Sequence, residues 1–251
     1  MQSKRPLAER VAIDIRRERT YSCRSSLFSE RFWILFIFEE IETMQIQKEH
    51  TREQILQAAE QAFHQQGFAK TSMRDIARLS GVGVGNLYNY FPKGKDEIFR
   101  LIVSPLIQDM ERMVYEHHDE RHAERYLDYL SNGNPELLEY QMREYLSLMR
   151  RHRSLMELLF FRAQGSSLEN FMDEFTDRCT EQVVRFMKRA AELRPDITPT
   201  CSPFTYHLHT VWMFTMFCEI IKHRLPPREA ERVVQDYITF EYSGWRELIR
   251  R

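Results

Sequence analysis

The chain has 251 residues, 36 Lys and Arg against 37 Asp and Glu, a formal net charge of −1 and 43% hydrophobic residues. That length allows one large domain or two modest ones whose core needs neither metals nor disulfides, and the near-zero charge excludes a broad basic face as the source of nucleic-acid affinity. Only eight glycines and nine prolines leave long stretches without helix breakers, so the expected class is all-α.

Charge is unevenly spread. Residues 44–100 hold eight Lys/Arg against six Asp/Glu, and residues 101–251 hold twenty against twenty-four. Any grip on DNA must then come from a few placed cations and backbone amides. The four cysteines, Cys23, Cys179, Cys201 and Cys218, show no C-x-x-C pair, which argues against a zinc module or a disulfide framework and fits reduced thiols in a cytoplasmic protein.

Residues 1–43 mix Arg-rich polar sequence with a seven-residue apolar run at 32–38, too short to span a bilayer. Glu39, Glu40 and Glu42 follow where a secretory signal would place small residues for cleavage, so neither export nor a membrane anchor is expected. Met44-Gln45-Ile46-Gln47-Lys48 reads as an ordinary start ahead of a helix. Residues 1–43 are therefore expected to be disordered or to lie upstream of the true start at Met44.

From Thr51, Ile55, Leu56, Ala59 and Phe63 recur at helical spacing and Gly67 follows where a left-handed cap belongs. Ser72-Met73-Arg74-Asp75 has the form of a capping box, which opens a short second helix near Met73. Gly81-Val82-Gly83 breaks that helix. Residues 84–91 form a third, stopped by Pro92 and Gly94. Further helices are expected over 95–117, 119–131, 135–150, 153–163, 167–193, 203–223 and 227–249.

Two short helices joined by a glycine turn, with a third before them, let the second of the pair enter a major groove. The string from Ile76 to Phe91 contains Ile76, Ala77, Gly81, Val82, Gly85, Leu87, Tyr88, Tyr90 and Phe91 at the spacing I-A-x-x-x-G-V-x-x-G-x-L-Y-x-Y/H-F. This resembles the DNA-binding domain of the TetR family of transcriptional regulators. The resemblance implies a tri-helical helix-turn-helix domain over residues 44–108, with the motif at about 71–90, and a larger helical effector-binding and dimerisation domain over 109–251.

Ala77, Gly81, Val82, Leu87 and Phe91 take structural positions in this pattern. The expected DNA-binding set is Thr71 and Ser72 at the start of the second helix, Val84, Gly85, Asn86, Tyr88, Asn89 and Tyr90 on the third, and Lys93 and Lys95 after it. The resemblance implies that Tyr88 and Tyr90 mainly meet phosphate, and that Lys95, with Lys93 as its rival, matches a phosphate-binding lysine. Many relatives carry Ser-Lys where this chain has Gly83 and Val84, so one hydroxyl and one cation are missing, and Val84 suits a thymine methyl instead.

In the second half, the helix over 203–223 is apolar nearly all round and reads as buried on every side, and the helix over 227–249 has one apolar stripe. Paired with their symmetry mates, the two would form a four-helix interface and a twofold homodimer suited to a palindromic double-stranded operator. Tyr115, Tyr145, Met149, Phe160, Phe161, Phe171, Phe175 and Trp212 are candidates to line a pocket for a lipophilic small-molecule effector. His207 and His209 point to different faces of a helix and do not make a metal site. There is no glycine-rich phosphate loop, nucleophile elbow or metal-ligand cluster, so neither an enzyme nor a cofactor is expected. The expectation is a ligand-responsive regulator, a repressor by family habit; a helical adaptor without operator binding is the alternative.

Overall fold

The computed structural model describes residues 27–117, 135–194 and 201–249. They form eight helices and no strand: α1 Leu27–Lys70, α2 Met73–Ser80, α3 Val84–Tyr90, α4 Lys95–His117, α5 Pro135–Phe161, α6 Phe171–Leu193, α7 Pro203–Lys222 and α8 Pro227–Ile249. The chain divides into two compact units, Met1–Arg52 and Glu53–Arg251.

In the first unit the described backbone, from Leu27 on, is helical, and residues 44–50 are exposed. Glycine and proline are absent from residues 27–66, so no residue there breaks helix propagation.

In the second unit, Ile55, Ala59 and Phe63 of α1 are buried, and the helix breaks at Gly67, whose φ of 78° favours glycine. The chain re-enters the core at once with Phe68. The rings of Phe63, Phe68 and Phe99 of α4 meet pairwise at centroid distances of 5.2 to 5.7 Å. Ile76 of α2, Leu87 of α3 and Phe91 join them, so two short helices that could not hold shape alone are packed against α1 and α4. α2 starts with the capping box foreseen, Ser72 Oγ accepting from the Asp75 amide while Asp75 Oδ2 accepts from the Ser72 amide, and it ends at a left-handed Gly81.

α4 runs through Pro105 without a break. The carbonyl of Leu101, deprived of its usual amide, accepts instead from Ser104 Oγ at 3.0 Å. Helices expected at 135–150 and 153–163 form the single element α5, kinked at His152 (φ −122°, ψ 17°). There His152 Nε2 lies 2.8 Å and Arg151 3.0 Å from Asp109 of α4. The helix expected at 119–131 lies outside the described residues. α6 begins four residues later than expected, because Ser166 and Leu168 are spent in turns. The helices expected at 203–223 and 227–249 are present as α7 and α8.

The turn after α5 holds the helix-turn-helix to the rest of the unit. The Phe68 amide donates to the Arg162 carbonyl at 2.9 Å, and Asp96, in the first turn of α4, accepts from both the amide and hydroxyl of Ser167 at 2.7 and 2.8 Å. One buried cluster runs from Ile55 through α4 and α5 to Ile238 of α8. We expect Phe99→Ala to cost about 3–5 kcal/mol of stability, since the ring is fully buried at the junction of α1 and α4. Urea denaturation followed by circular dichroism checks it.

Candidate nucleic-acid interface

α3 is a helix of seven residues whose buried anchor is Leu87. Its other side chains are therefore free to differ, and Val84, Gly85, Asn86, Tyr88 and Asn89 are exposed. Tyr90 is half-buried against the core, so its ring is structural on one side. Tyr88 is 47% exposed, with its ring edge over Gly94, where an added Cβ would lie 3.5 Å from Cε1. Asn89 Nδ2 donates to Asn86 Oδ1 at 3.2 Å.

Two of the residues expected to hold phosphate do something else. Thr71 is 2% exposed, and its hydroxyl donates to the carbonyls of Gly67 at 2.8 Å and Ala62 at 3.3 Å, closing the end of α1. Lys95 Nζ donates to the carbonyls of Phe68 and Thr71, both at 2.8 Å, and lies 4.1 Å above the Phe68 ring. Loss of water around it lowers its pKa, an effect that neighbouring Asp96 opposes. The geometry makes Lys95 a cap on the turn between α1 and α2, adding a charged donor to the Phe68 carbonyl, which also accepts from the Thr71 amide, and to the Thr71 carbonyl.

Ser72 is exposed but its hydroxyl is tied to Asp75, which it holds below the ordinary carboxylate value through that hydrogen bond. The first-turn amides of α2 are what this end still offers to an anion. Lys93 is exposed. So are Arg74 and Arg78, four residues apart on α2, which the motif-led reading passed over. Their signal was the periodicity that buries Ile76 and Ala77 and turns positions 74 and 78 outward. With Lys70 they put four exposed cations around α2 and α3.

The pocket candidates separate. Tyr115 and Phe175 line one cleft of about 430 Å³ between α4 and α6, together with Glu111, Arg112, Arg178 and Cys179. Arg178 pairs with Glu111 at 3.4 Å there, and burial pushes the Cys179 thiol up to about 12. Tyr145, Met149 and Phe171 are buried packing residues, Tyr145 donating to Met213 Sδ and stacking on Phe217. Phe160 packs edge-on against Phe214, and Phe161 is exposed on the surface.

Trp212 belongs to neither group. It stands 47% exposed on α7, edge-on to Tyr237 and Phe240 of α8. The expectation that α7 is buried on every side is corrected: Met213, Phe214, Phe217 and Ile220 face the core, whereas Phe204, Leu208, Val211 and Trp212 face out. His207 and His209 approach different carboxylates, Asp177 and Glu241, and no cluster of metal ligands occurs among the described residues. None of the described helices is long and apolar enough to cross a membrane.

Capped α2, glycine turn and outward-facing α3 define a helix-turn-helix reader fused to a helical bundle. The family profile described as bacterial regulatory proteins, tetR family, matches residues 55–102. The chain is similar to the regulator TtgR of Pseudomonas putida, 41% identical over 58 residues, 23% of this chain and 27% of TtgR. It is also similar to the regulator UidR of Escherichia coli K12, 29% identical over 90 residues, 36% of this chain and 44% of UidR. The chain thus spans about a quarter to a half of the length of these curated relatives. A TetR-family regulator from Syntrophomonas wolfei shares the fold over 78% of this chain and 97% of its own, with a TM-score of 0.54 at 20% identity.

Lys95→Ala removes the charged donor shared by the Phe68 and Thr71 carbonyls, so we expect it to destabilise the protein by about 1–3 kcal/mol. Thermal unfolding measures this, and an unchanged midpoint would return Lys95 to the surface.

Proposed function

We propose that the chain is a transcriptional regulator that holds a palindromic double-stranded operator as a homodimer and leaves it when a small molecule binds the second domain. The observation that carries this reading is α3, exposed on every face but that of Leu87, behind a capped helix whose cations point outward. In such an arrangement the second helix enters the major groove while the first crosses the backbone. Arg74, Arg78 and Lys93 then meet phosphates, and α3 meets bases.

Dimerisation follows from the apolar outer face of α7 and α8. Leu208, Trp212, Phe240, Trp245 and Leu248 line a groove of about 440 Å³ along these two helices. A second copy of the chain is the occupant that gives twofold symmetry to match a palindrome. The ligand reading rests on the cleft between α4 and α6, of a size suited to a small molecule. At its other end α4 begins with Lys95, which holds the turn between α1 and α2, and Asp96, which holds Ser167. A ligand that moves α4 therefore moves the reader, and with operator bound in the ligand's absence the regulator is a repressor.

Two outcomes test this. The double substitution Trp212→Glu and Phe240→Glu places charge on the outer face of α7 and α8, and sedimentation should give a monomer whose affinity for operator DNA falls about a hundredfold. Lys93→Ala should lower the salt dependence of binding by about one for each half-site, whereas Lys95→Ala leaves that slope unchanged.

A further inference from the structure

α3 contains neither lysine nor arginine. Guanine is read most often by those side chains, paired to its O6 and N7, so the recognition helix lacks the usual guanine reader. The exposed cations lie on the flanks, Arg74 and Arg78 on the helix that crosses the backbone and Lys93 in the turn after α3.

The first turn of a recognition helix is the part that reaches base edges, and here it comprises Val84, Gly85 and Asn86. Positions where Cβ atoms would sit on Gly83 and Gly85 have nothing within 4 Å, so the backbone at this end is bare and can approach a groove floor closely. Asn86 is exposed, and its Oδ1 accepts from Asn89 one turn later. A side-chain amide has two acceptor positions and two donor protons. The bond to Asn89 uses one acceptor position of Asn86 and fixes the plane of the amide, leaving the other acceptor position and both protons. That remainder is what adenine requires, an acceptor for its N6 amino group and a donor for its N7.

We infer that Asn86, oriented by Asn89, reads an adenine in each operator half-site and that Val84 packs on a thymine methyl, so that α3 specifies A·T pairs rather than guanine. The inference rests on the operator reading above. Asn86 is the contact residue, Asn89 its positioning residue.

Selection of bound duplexes from a random DNA pool, with the full chain and with Asn86→Ala and Asn89→Ala, tests it. The full chain should return a palindrome with A·T pairs at the specified central positions of each half-site. Asn86→Ala should lose roughly five- to 150-fold of the preference for adenine at one position. Asn89→Ala should weaken that same preference while affinity for non-specific DNA stays constant, which a purely structural role would not produce. Replacing the selected thymines by deoxyuridine should weaken the full chain several-fold and leave Val84→Ala unaffected. Half-sites specified by G·C pairs, or a base preference untouched by Asn86→Ala, would overturn the inference while leaving the operator reading intact. A pool that yields no enriched sequence would overturn the operator reading itself.

Discussion

The orientation of the DNA-reading unit depends on how the first helix ends. Gly67 breaks α1, and the carbonyls of Phe68, which accepts from the Thr71 amide at 3.2 Å, and of Thr71 are left facing the start of α4. Lys95 closes both, and the Thr71 hydroxyl closes Gly67. The cation sits over the Phe68 ring as well, so one side chain fixes the end of α1, the entry to α2 and the first turn of α4 together. Ser72 begins the capping box of α2 one residue beyond Thr71. The approach of α2 and α3 to DNA is therefore set by buried polar bonds at the Gly67–Ser72 turn and by the Phe63, Phe68 and Phe99 rings beneath it.

That same turn is tied to the helices that follow α4. The Phe68 amide is held by the Arg162 carbonyl, and Asp96, next to Lys95, is held by Ser167. At the other end of α4, Asp109 lies amid Arg112, Arg151 and His152; burial works to raise its pKa, but the bond from His152 and the two arginines lower it further than burial raises it. This pins α4 to α5 where α5 is kinked. α4 is thus held at its first turn and again at Asp109, with the cleft lined by Tyr115 and Phe175 beyond the second hold.

Features set by neighbours in sequence could be read without a structure. Gly67 and Gly81 announced helix ends, Ser72 and Asp75 announced a cap, and the spacing of Ile76, Leu87 and Phe91 announced the packed side of two short helices. Lys95 could not be read this way. Its partners lie 24 and 27 residues earlier, and only the folded turn brings it to those carbonyls. Hydrophobicity alone also cannot separate a core from an interface: α7 is apolar on both sides, and only the packing of Met213 and Phe217 inward reveals that Trp212 and Leu208 face out. Among the aromatic candidates for the pocket, sequence gave each equal standing, whereas the cleft takes only those on the facing sides of α4 and α6.

The central claim is that two copies of this chain place two α3 helices on one duplex. Hydroxyl-radical footprinting of the full chain on DNA drawn from its own upstream region tests it most directly. The account predicts two protected segments related by a twofold axis, their centres about one helical turn apart or slightly more. A single unsymmetrical footprint, or protection indifferent to sequence, would contradict it.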